Sequence, residues 1–160
     1  MAIEKHPARG TILTCNFDTG FIPPEMVKRR LVVVISPDIK QRQNLCTVVP
    51  LSKTEPKQVM PYHAKLRITP PLEGWDDIYR WIKGDMVYAA SLSRLDLIRT
   101  KSNDRKRTYR YSKISDADLN TVMRCVLCGM GLGKLVRHLS NALNEAEQAT
   151  CDGPDTNQQG

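Results

Sequence analysis

Residues 28–38 read KRRLVVVISPD, and residues 45–52, after a short polar loop, read LCTVVPLS. Each stretch holds a nearly uninterrupted run of β-branched and other apolar residues, which is typical of a strand buried on both faces. If the strands form an antiparallel hairpin, the start of the first lies beside the end of the second, which brings Arg30 close to Ser52. A cation beside a hydroxyl is suited to phosphate binding. Arginines also solvate strand ends and serines start turns, so the pattern alone leaves both interpretations open.

A chain of 160 residues can bury one hydrophobic core of ordinary size without disulfides or a metal ion. Its five cysteines are an odd number at scattered positions, which is typical of free thiols in a reducing compartment. The N-terminal segment lacks the apolar run of a signal peptide, and no run approaches the roughly 20 residues that span a membrane. We therefore expect a cytoplasmic protein that does not contact the membrane.

The charge of the chain is positive and unevenly distributed. Lysine and arginine number 24 against 17 acidic residues, a net charge of +7. Between Arg99 and Lys113, seven basic residues face one acid, Asp104, so this window alone carries +6. Such a cluster favours nucleic acid as a partner, although a solvated basic loop has the same composition.

Outside the two apolar stretches, the sequence predicts further strands and a C-terminal helix. The predicted strands are Gly10–Phe17, Gln58–His63, Gly84–Ser91, a short one from Leu95 to Ile98, and Thr108–Tyr111. Gly20, Pro23 and Pro24 make residues 18–27 a loop, and loops of that length are often functional. A short helical turn is predicted within residues 74–83, whose two tryptophans we expect to cap the core rather than stack on bases. Ser115 is expected to cap the helix, in which apolar residues recur with helical spacing.

Few residues outside this framework suggest chemistry. Cys125 and Cys128 have the spacing of a zinc pair, but both lie within the predicted helix and lack an obvious second pair of ligands. His63 ends a strand that we expect to pair with the strand carrying Ser52, and an imidazole there could transfer protons near neutral pH. The alternative is a surface histidine that is hydrogen-bonded to the backbone.

The order of these motifs resembles the MazF/PemK family of toxins from type II toxin-antitoxin modules. The matching features are the Arg9-Gly10-x-Ile12 strand, Asn16-Phe17-Asp18, a Gly/Pro loop, RRLVVVIS at 29–36, VVPLS at 48–52, and a closing apolar helix. The resemblance implies an α+β, mainly β fold, an SH3-like small β-barrel with a C-terminal α-helix. It also implies a homodimer, a cognate antitoxin protein as partner, and an endoribonuclease that cuts single-stranded RNA, commonly mRNA, at short sequences without a metal ion or other cofactor.

The resemblance also implies roles for individual residues. The family's strand-opening arginine falls on Arg30, which would stabilise the pentacoordinate phosphorane and protonate the leaving oxygen. The family's threonine falls on Ser52, which would orient the phosphate. His63 is our hypothetical general base. Basic and polar residues beside the two strands and in the basic window are expected to bind RNA: Lys28, Arg29, Lys53, Thr54, Arg105, Lys106 and Arg107.

The sequence departs from the family pattern at three places. Leu31 stands where proline is usual, and Ser52 replaces threonine, which keeps the hydroxyl but loses the methyl group that limits its rotamers. Ala90-Ser91 occupies the position of an Asp-Gln pair that many members carry, so a base role for that aspartate does not transfer.

Two other functions remain open at this point. One is a non-catalytic, CcdB-like toxin that poisons DNA gyrase, and the other is an SH3-like RNA-binding module without activity. In domain terms we expect a single barrel domain over residues 1–149, with its helix starting near residue 115, and a disordered tail over residues 150–160.

Overall fold

The computed structural model describes residues 3–69, 78–100 and 108–141. Within these ranges the chain forms ten strands, which are β1 Thr11–Cys15, β2 Arg30–Val34, β3 Leu45–Ser52, β4 His63–Arg67, β5 Tyr79–Lys83, β6 Tyr88–Ser91, β7 Leu95–Asp96, β8 Ile98–Thr100, β9 Thr108–Arg110 and β10 Ser112–Lys113. A 3₁₀ turn covers Leu92–Arg94, helix α1 covers Asp116–Gly129, and a second helix, α2, covers residues 133–141. The predicted tail, the central part of the basic window (101–107) and Trp75 lie outside the described residues.

The two apolar stretches form the antiparallel hairpin β2–β3, as predicted. Leu31 pairs with Leu51 at one end of the hairpin and Val34 pairs with Val48 at the other. Around it the sheet runs in the order β10-β1-β2-β3-β5-β4, while β6 also pairs with β3 and β7 with β1. The sheet curls into a half-barrel, and β8 and β9 form a separate hairpin. The predicted mainly β fold with a C-terminal helix is therefore confirmed.

The central strands are buried on both faces, which explains their continuous apolar runs. Side chains alternate between faces along each strand, so every second residue enters the same core. The core under α1 includes Ile12, Leu31, Val33, Val49, Leu51, Leu66 and Ile82. The core on the opposite face includes Leu13, Phe17, Val32, Val34, Cys46, Val48 and Leu95.

Helix α1 begins and packs as its sequence predicts. The Ser115 hydroxyl oxygen accepts the N–H of Asp118 at 3.1 Å, and the acidic first turn lies at the positive end of the helix dipole. Val122 and Cys125 are among the residues that α1 buries against the sheet. The helix approaches the turn after β5 so closely that a Cβ on Gly84 would lie 2.4 Å from the backbone carbon of Cys125. Only glycine fits this contact without a shift of the backbone.

Two local predictions in the middle of the chain are wrong. The predicted strand over residues 58–63 is a turn, closed by a 2.8 Å hydrogen bond from the His63 N–H to the Met60 carbonyl, and His63 begins β4 instead of ending a strand. The predicted helical turn is also wrong in its second half, because Tyr79–Lys83 is strand β5. The strand predicted over 84–91 is confined to Tyr88–Ser91.

None of the helices in the described ranges has the length and apolar character needed to cross a membrane.

Candidate active site

The β2–β3 hairpin brings Arg30 and Ser52 together at one end of the sheet. Leu31 pairs with Leu51, and continuing this antiparallel register by one residue places Arg30 opposite Ser52. Directly opposed residues have Cβ atoms about 4.5–5.5 Å apart and side chains on the same face. That face lies opposite α1, because Leu31 and Leu51 on the alternate face belong to the core under the helix. The register therefore supports the predicted proximity of cation and hydroxyl.

The two neighbouring arginines differ in their surroundings. Arg29 donates a hydrogen bond to the carboxylate of Asp96 and forms an ion pair with it. Arg30 is exposed, and no hydrogen bond or ion pair joins its guanidinium to the described part of the chain. On the other side of Arg30, β1 places Cys15 directly opposite. Burial raises the pKa of the Cys15 thiol to about 12, so this neighbour brings no negative charge. Arg30 is therefore the arginine available to an anion.

The hydroxyl of Ser52 is held by the turn that follows β3. Its oxygen accepts the N–H of Thr54 at 3.1 Å, and its proton lies near the Thr54 carbonyl with an oxygen–oxygen distance of 3.4 Å. The second contact is too long to be strong. The hydroxyl can therefore turn its proton toward a phosphate oxygen while the bond from Thr54 still fixes its position. Lys28, Lys53 and Thr54 are all exposed beside the pair.

The same row of the sheet continues across β5 and β4. Ser52 pairs with Trp81, and Trp81 pairs with Lys65, so these side chains share the face of Arg30. Trp81 is half-buried and Lys65 is exposed. The prediction that this tryptophan serves the core missed its position beside Ser52. The signal for it was the alternation in YRWIK, in which Trp81 falls on the same face as Tyr79.

His63 does not lie beside Ser52, so our expectation about the pairing of its strand is wrong. Strand β4 pairs with β5, and β5 separates it from the strand that carries Ser52. The His63 side chain is only 7% exposed, and its Nε2 lies 3.9 Å from the Asp85 carboxylate. Desolvation, followed by repulsion from Lys83, lowers its pKa below the usual 6.5, which favours the neutral ring.

The hydrogen bonding of His63 also disfavours a role as base. Its Nδ1 accepts the N–H of Met60 at 3.2 Å, which in the neutral ring leaves the proton on Nε2. A backbone hydrogen bond with Gln58 also engages the ring, so backbone groups hold the imidazole in place. The role of general base stays a prediction, and this geometry gives it no support.

Ala90, another departure from the family pattern, lies in the core. Ala90 is buried and pairs with Cys46 on β3, so this position supplies packing and no carboxylate. Burial raises the pKa of Cys46, and likewise that of Cys125, to about 11. These thiols are therefore neutral residues of the core.

The loop that leads to Arg30 is tied to the rest of the molecule. Arg94 donates hydrogen bonds to the carbonyls of Asn16 at 3.2 Å and Thr19 at 2.9 Å. The ring of Phe21 packs edge-on against Phe17 with centroids 5.1 Å apart. Gly20 has a positive φ of 80°, which glycine adopts without strain. The loop predicted over residues 18–27 is therefore ordered beside the Arg30 end of the sheet.

Comparisons with known proteins agree with this architecture. The sequence model of the PemK-like, MazF-like toxin of type II toxin-antitoxin systems matches residues 8–127. An uncharacterised Escherichia coli K12 protein, YifN, is 38% identical over 119 aligned residues that cover 62% of this chain and 78% of YifN. An uncharacterised Haemophilus influenzae protein is 32% identical over 108 residues, covering 59% of this chain and 73% of its own length.

Solved structures share the fold at low sequence identity. MazF from Deinococcus radiodurans superposes with a TM-score of 0.54 and 17% identity, covering 78% of this chain and 96% of that one. An endoribonuclease from a mycobacterial species superposes with a TM-score of 0.51 and 15% identity, covering 80% and 94% of the two chains.

Proposed function

The chain belongs to the PemK-like, MazF-like family of toxins from type II toxin-antitoxin systems, and we propose that it is a metal-independent endoribonuclease that cuts single-stranded RNA. One observation carries the proposal. An exposed arginine with no partner in the described part of the chain lies opposite a serine hydroxyl at the open end of the β2–β3 hairpin.

The reaction that this pair suits is an internal transfer of the phosphodiester. The 2′-oxygen of a ribose attacks the adjacent phosphorus, the bond to the 5′-oxygen breaks, and the products are a 2′,3′-cyclic phosphate and a 5′-hydroxyl. One proton leaves the 2′-hydroxyl and one joins the 5′-oxygen, so no proton is consumed overall. Charge builds up on the non-bridging oxygens in the pentacoordinate transition state.

Arg30 and Ser52 act on this charge in different ways. The planar guanidinium of Arg30 can donate two parallel hydrogen bonds to the non-bridging oxygens, and these bonds strengthen as charge develops. The hydroxyl group of Ser52 donates a hydrogen bond to a phosphate oxygen and so fixes the orientation of the phosphate group. Arg30 reaches the phosphate without breaking an ion pair, whereas Arg29 would first have to leave Asp96.

Binding of the RNA chain uses the basic and polar residues on either side. Lys28, Arg29, Lys53 and Thr54 flank the pair, and we assign them to the phosphates of neighbouring nucleotides. The sequence adds Arg105, Lys106 and Arg107, which lie outside the described residues. Their positive charge attracts the polyanion from a distance and makes binding weaker at high salt.

The proposal extends to the partners of the protein. As a toxin of this family it acts as a homodimer in the cytoplasm, and a cognate antitoxin protein inhibits it. An acidic, disordered antitoxin segment that folds over the basic face would compete with RNA for Arg30.

Sequencing of RNA ends after expression of the protein tests this function and identifies the cleaved sequence at once. We expect new 5′-hydroxyl ends at a recurring short motif, and none on expression of the Arg30→Ala variant. Growth arrest with intact RNA and cleaved DNA would instead favour a gyrase poison. RNA binding without cleavage, unchanged by Ser52→Thr, would favour an inactive binding module. Either result would reject the ribonuclease.

A further inference from the structure

We propose that Trp81 is a stacking platform for an RNA base and that Lys65 binds a neighbouring phosphate. Together with Arg67 they form what we call the β4–β5 strip, a path for single-stranded RNA that continues from the Arg30–Ser52 pair. The choice of RNA as the occupant rests on the proposed function, whereas the strip itself is inferred from the sheet.

The first argument is the inverted pattern of strand β5. Its buried positions hold Arg80, which is 1% exposed, and Ile82, whereas Tyr79 is 40% exposed and Trp81 is half-buried. A shift of one residue would exchange the two faces and bury both aromatic rings. Burial of apolar surface favours that alternative. A strand that keeps its aromatic rings on the accessible face is typical of a surface that stacks on ligands.

The second argument is the charge of the same face. Lys65 pairs with Trp81 and Arg67 pairs with Tyr79, so two exposed cations stand beside the two rings. Strands β4 and β5, with the sequences HAKLR and YRWIK, contain no acidic residue. The Lys65 ammonium lies 4.9 Å from the centroid of the Tyr79 ring, a contact that holds it over the strip. An exposed cation–π contact is weak, so a phosphate can draw this ammonium away.

The third argument is the position of the strip relative to the reacting phosphate. Arg30, Ser52, Trp81 and Lys65 occupy consecutive strands in one row. Neighbouring strands lie about 4.7–4.9 Å apart, so the indole is one strand from Ser52 and the Lys65 backbone is two strands away. A phosphate held at Ser52 therefore has an aromatic ring beside its own nucleotide and a cation beyond it. Alternating rings and cations are the features by which proteins bind single strands.

A binding experiment with the full chain separates the two proposed contacts. The probe is a fluorescent single-stranded 2′-O-methyl oligoribonucleotide, which has no 2′-hydroxyl for the cleavage reaction, titrated at several salt concentrations. Trp81→Ala should weaken binding roughly 5- to 150-fold, because stacking on one ring contributes about that factor, and should leave the salt dependence unchanged. Lys65→Met should reduce the slope of log K against log salt by about 0.7, the value for one phosphate contact on a single strand.

Three controls exclude a general structural effect. Trp81→Phe should keep most of the affinity, because phenylalanine also stacks. Tyr111→Ala removes a 56% exposed ring near Thr11, at the other end of β1, and should leave binding unchanged. In a Trp75→Phe background the remaining tryptophan, Trp81, should lose fluorescence when the oligonucleotide binds, which a purely structural residue would not do.

The outcomes for the strip and for the proposed function can be told apart. If the protein cleaves RNA but Trp81→Ala binds the probe as tightly as the wild type, the strip is refuted and the nuclease stands. If the probe binds through Trp81 and ordinary RNA stays intact, the strip stands and the nuclease is refuted. A wild type that does not bind the probe also refutes the strip. If the face instead binds acidic peptides through charge alone, Trp81→Ala will not change the affinity for the probe. That result refutes the strip as well.

Discussion

Replacing Arg30 distinguishes catalysis from simple attraction of RNA. Arg30→Ala removes donors that act on charge developing in the transition state, and loss of one such donor typically lowers kcat about 10²–10³-fold, or about 2.7–4 kcal/mol. The fold should not change, because Arg30 is exposed and its guanidinium has no partner among the described residues. We therefore expect a change in the free energy of unfolding within about 0.5 kcal/mol. Arg30→Lys keeps the positive charge but cannot donate two parallel hydrogen bonds, so its kcat should lie between that of the wild type and that of Arg30→Ala.

Arg29→Ala is the matched control for this experiment. Its ion pair with Asp96 joins side chains that are 45% and 36% exposed, and such pairs contribute about 0–1 kcal/mol to stability. Because we assign Arg29 to binding rather than chemistry, its loss should raise KM and change kcat little. The assay measures initial rates of cleavage of a short labelled RNA in EDTA over a range of RNA concentrations, which gives kcat and KM separately. If Arg30→Ala loses no more kcat than Arg29→Ala, or changes KM alone, the assigned role of Arg30 is wrong.

Three further predictions concern the fold and its ionisable groups. Gly84→Ala should lower the free energy of unfolding by about 1–3 kcal/mol in urea denaturation, because its Cβ would clash with the backbone of α1. Gly133→Ala is the control and should not lower it in this way, because its Cβ would lie 3.9 Å from the nearest atom. Desolvation lowers the pKa of His63 below 6.5 in the folded protein, so the unfolded chain binds the proton more tightly and stability should fall as the pH drops below 6.5. In urea denaturation above and below that pH, the free energy of unfolding should change less with pH in His63→Asn than in the wild type, and His138→Gln should behave like the wild type. Equal pH dependence in His63→Asn and the wild type would contradict the assignment. Burial raises the pKa of the Cys46 thiol from 9.0 to about 11, so at pH 8 it is about 100-fold less ionised than an unfolded thiol. Iodoacetamide reacts with the thiolate and should therefore alkylate Cys46 about 100-fold more slowly in the native protein than in the unfolded chain. Peptide mass spectrometry measures the two rates.

The part of the fold that could be predicted is the part whose local pattern and tertiary role agree. The β2–β3 runs are almost entirely apolar because both faces of these strands are buried, and no other strand intervenes between them, which makes an antiparallel hairpin the simplest connection. Arg30 and Ser52 then come together through the register alone. Helix α1 could also be predicted, because its cap at Ser115 and the helical spacing of its apolar residues are local signals.

The β4–β5 pair could not be predicted for a physical reason. Strand β5 buries Arg80 together with Ile82 and leaves Tyr79 exposed and Trp81 half-buried, so burial in this strand does not follow hydrophobicity. Its insertion between β3 and β4 is a long-range pairing that no local periodicity encodes. The error about His63 follows from this, because a strand adjacent to β3 would have placed the imidazole near Ser52.

The close contact between α1 and the turn after β5 was missed for a related reason. A glycine in a turn predicts a bend, and nothing in the neighbouring sequence shows that a helix backbone passes 2.4 Å from where its Cβ would be. Such contacts depend on how elements pack and not on which elements form.

The chemistry of the cleaved ends tests the central claim most directly. Purified protein is incubated with single-stranded RNA in EDTA, and the products are analysed by mass spectrometry. The arrangement of Arg30 and Ser52 predicts fragments that end in a 2′,3′-cyclic phosphate and begin with a 5′-hydroxyl, formed by the wild type and not by Arg30→Ala. Intact RNA, or fragments that begin with a 5′-phosphate, would contradict the proposed reaction.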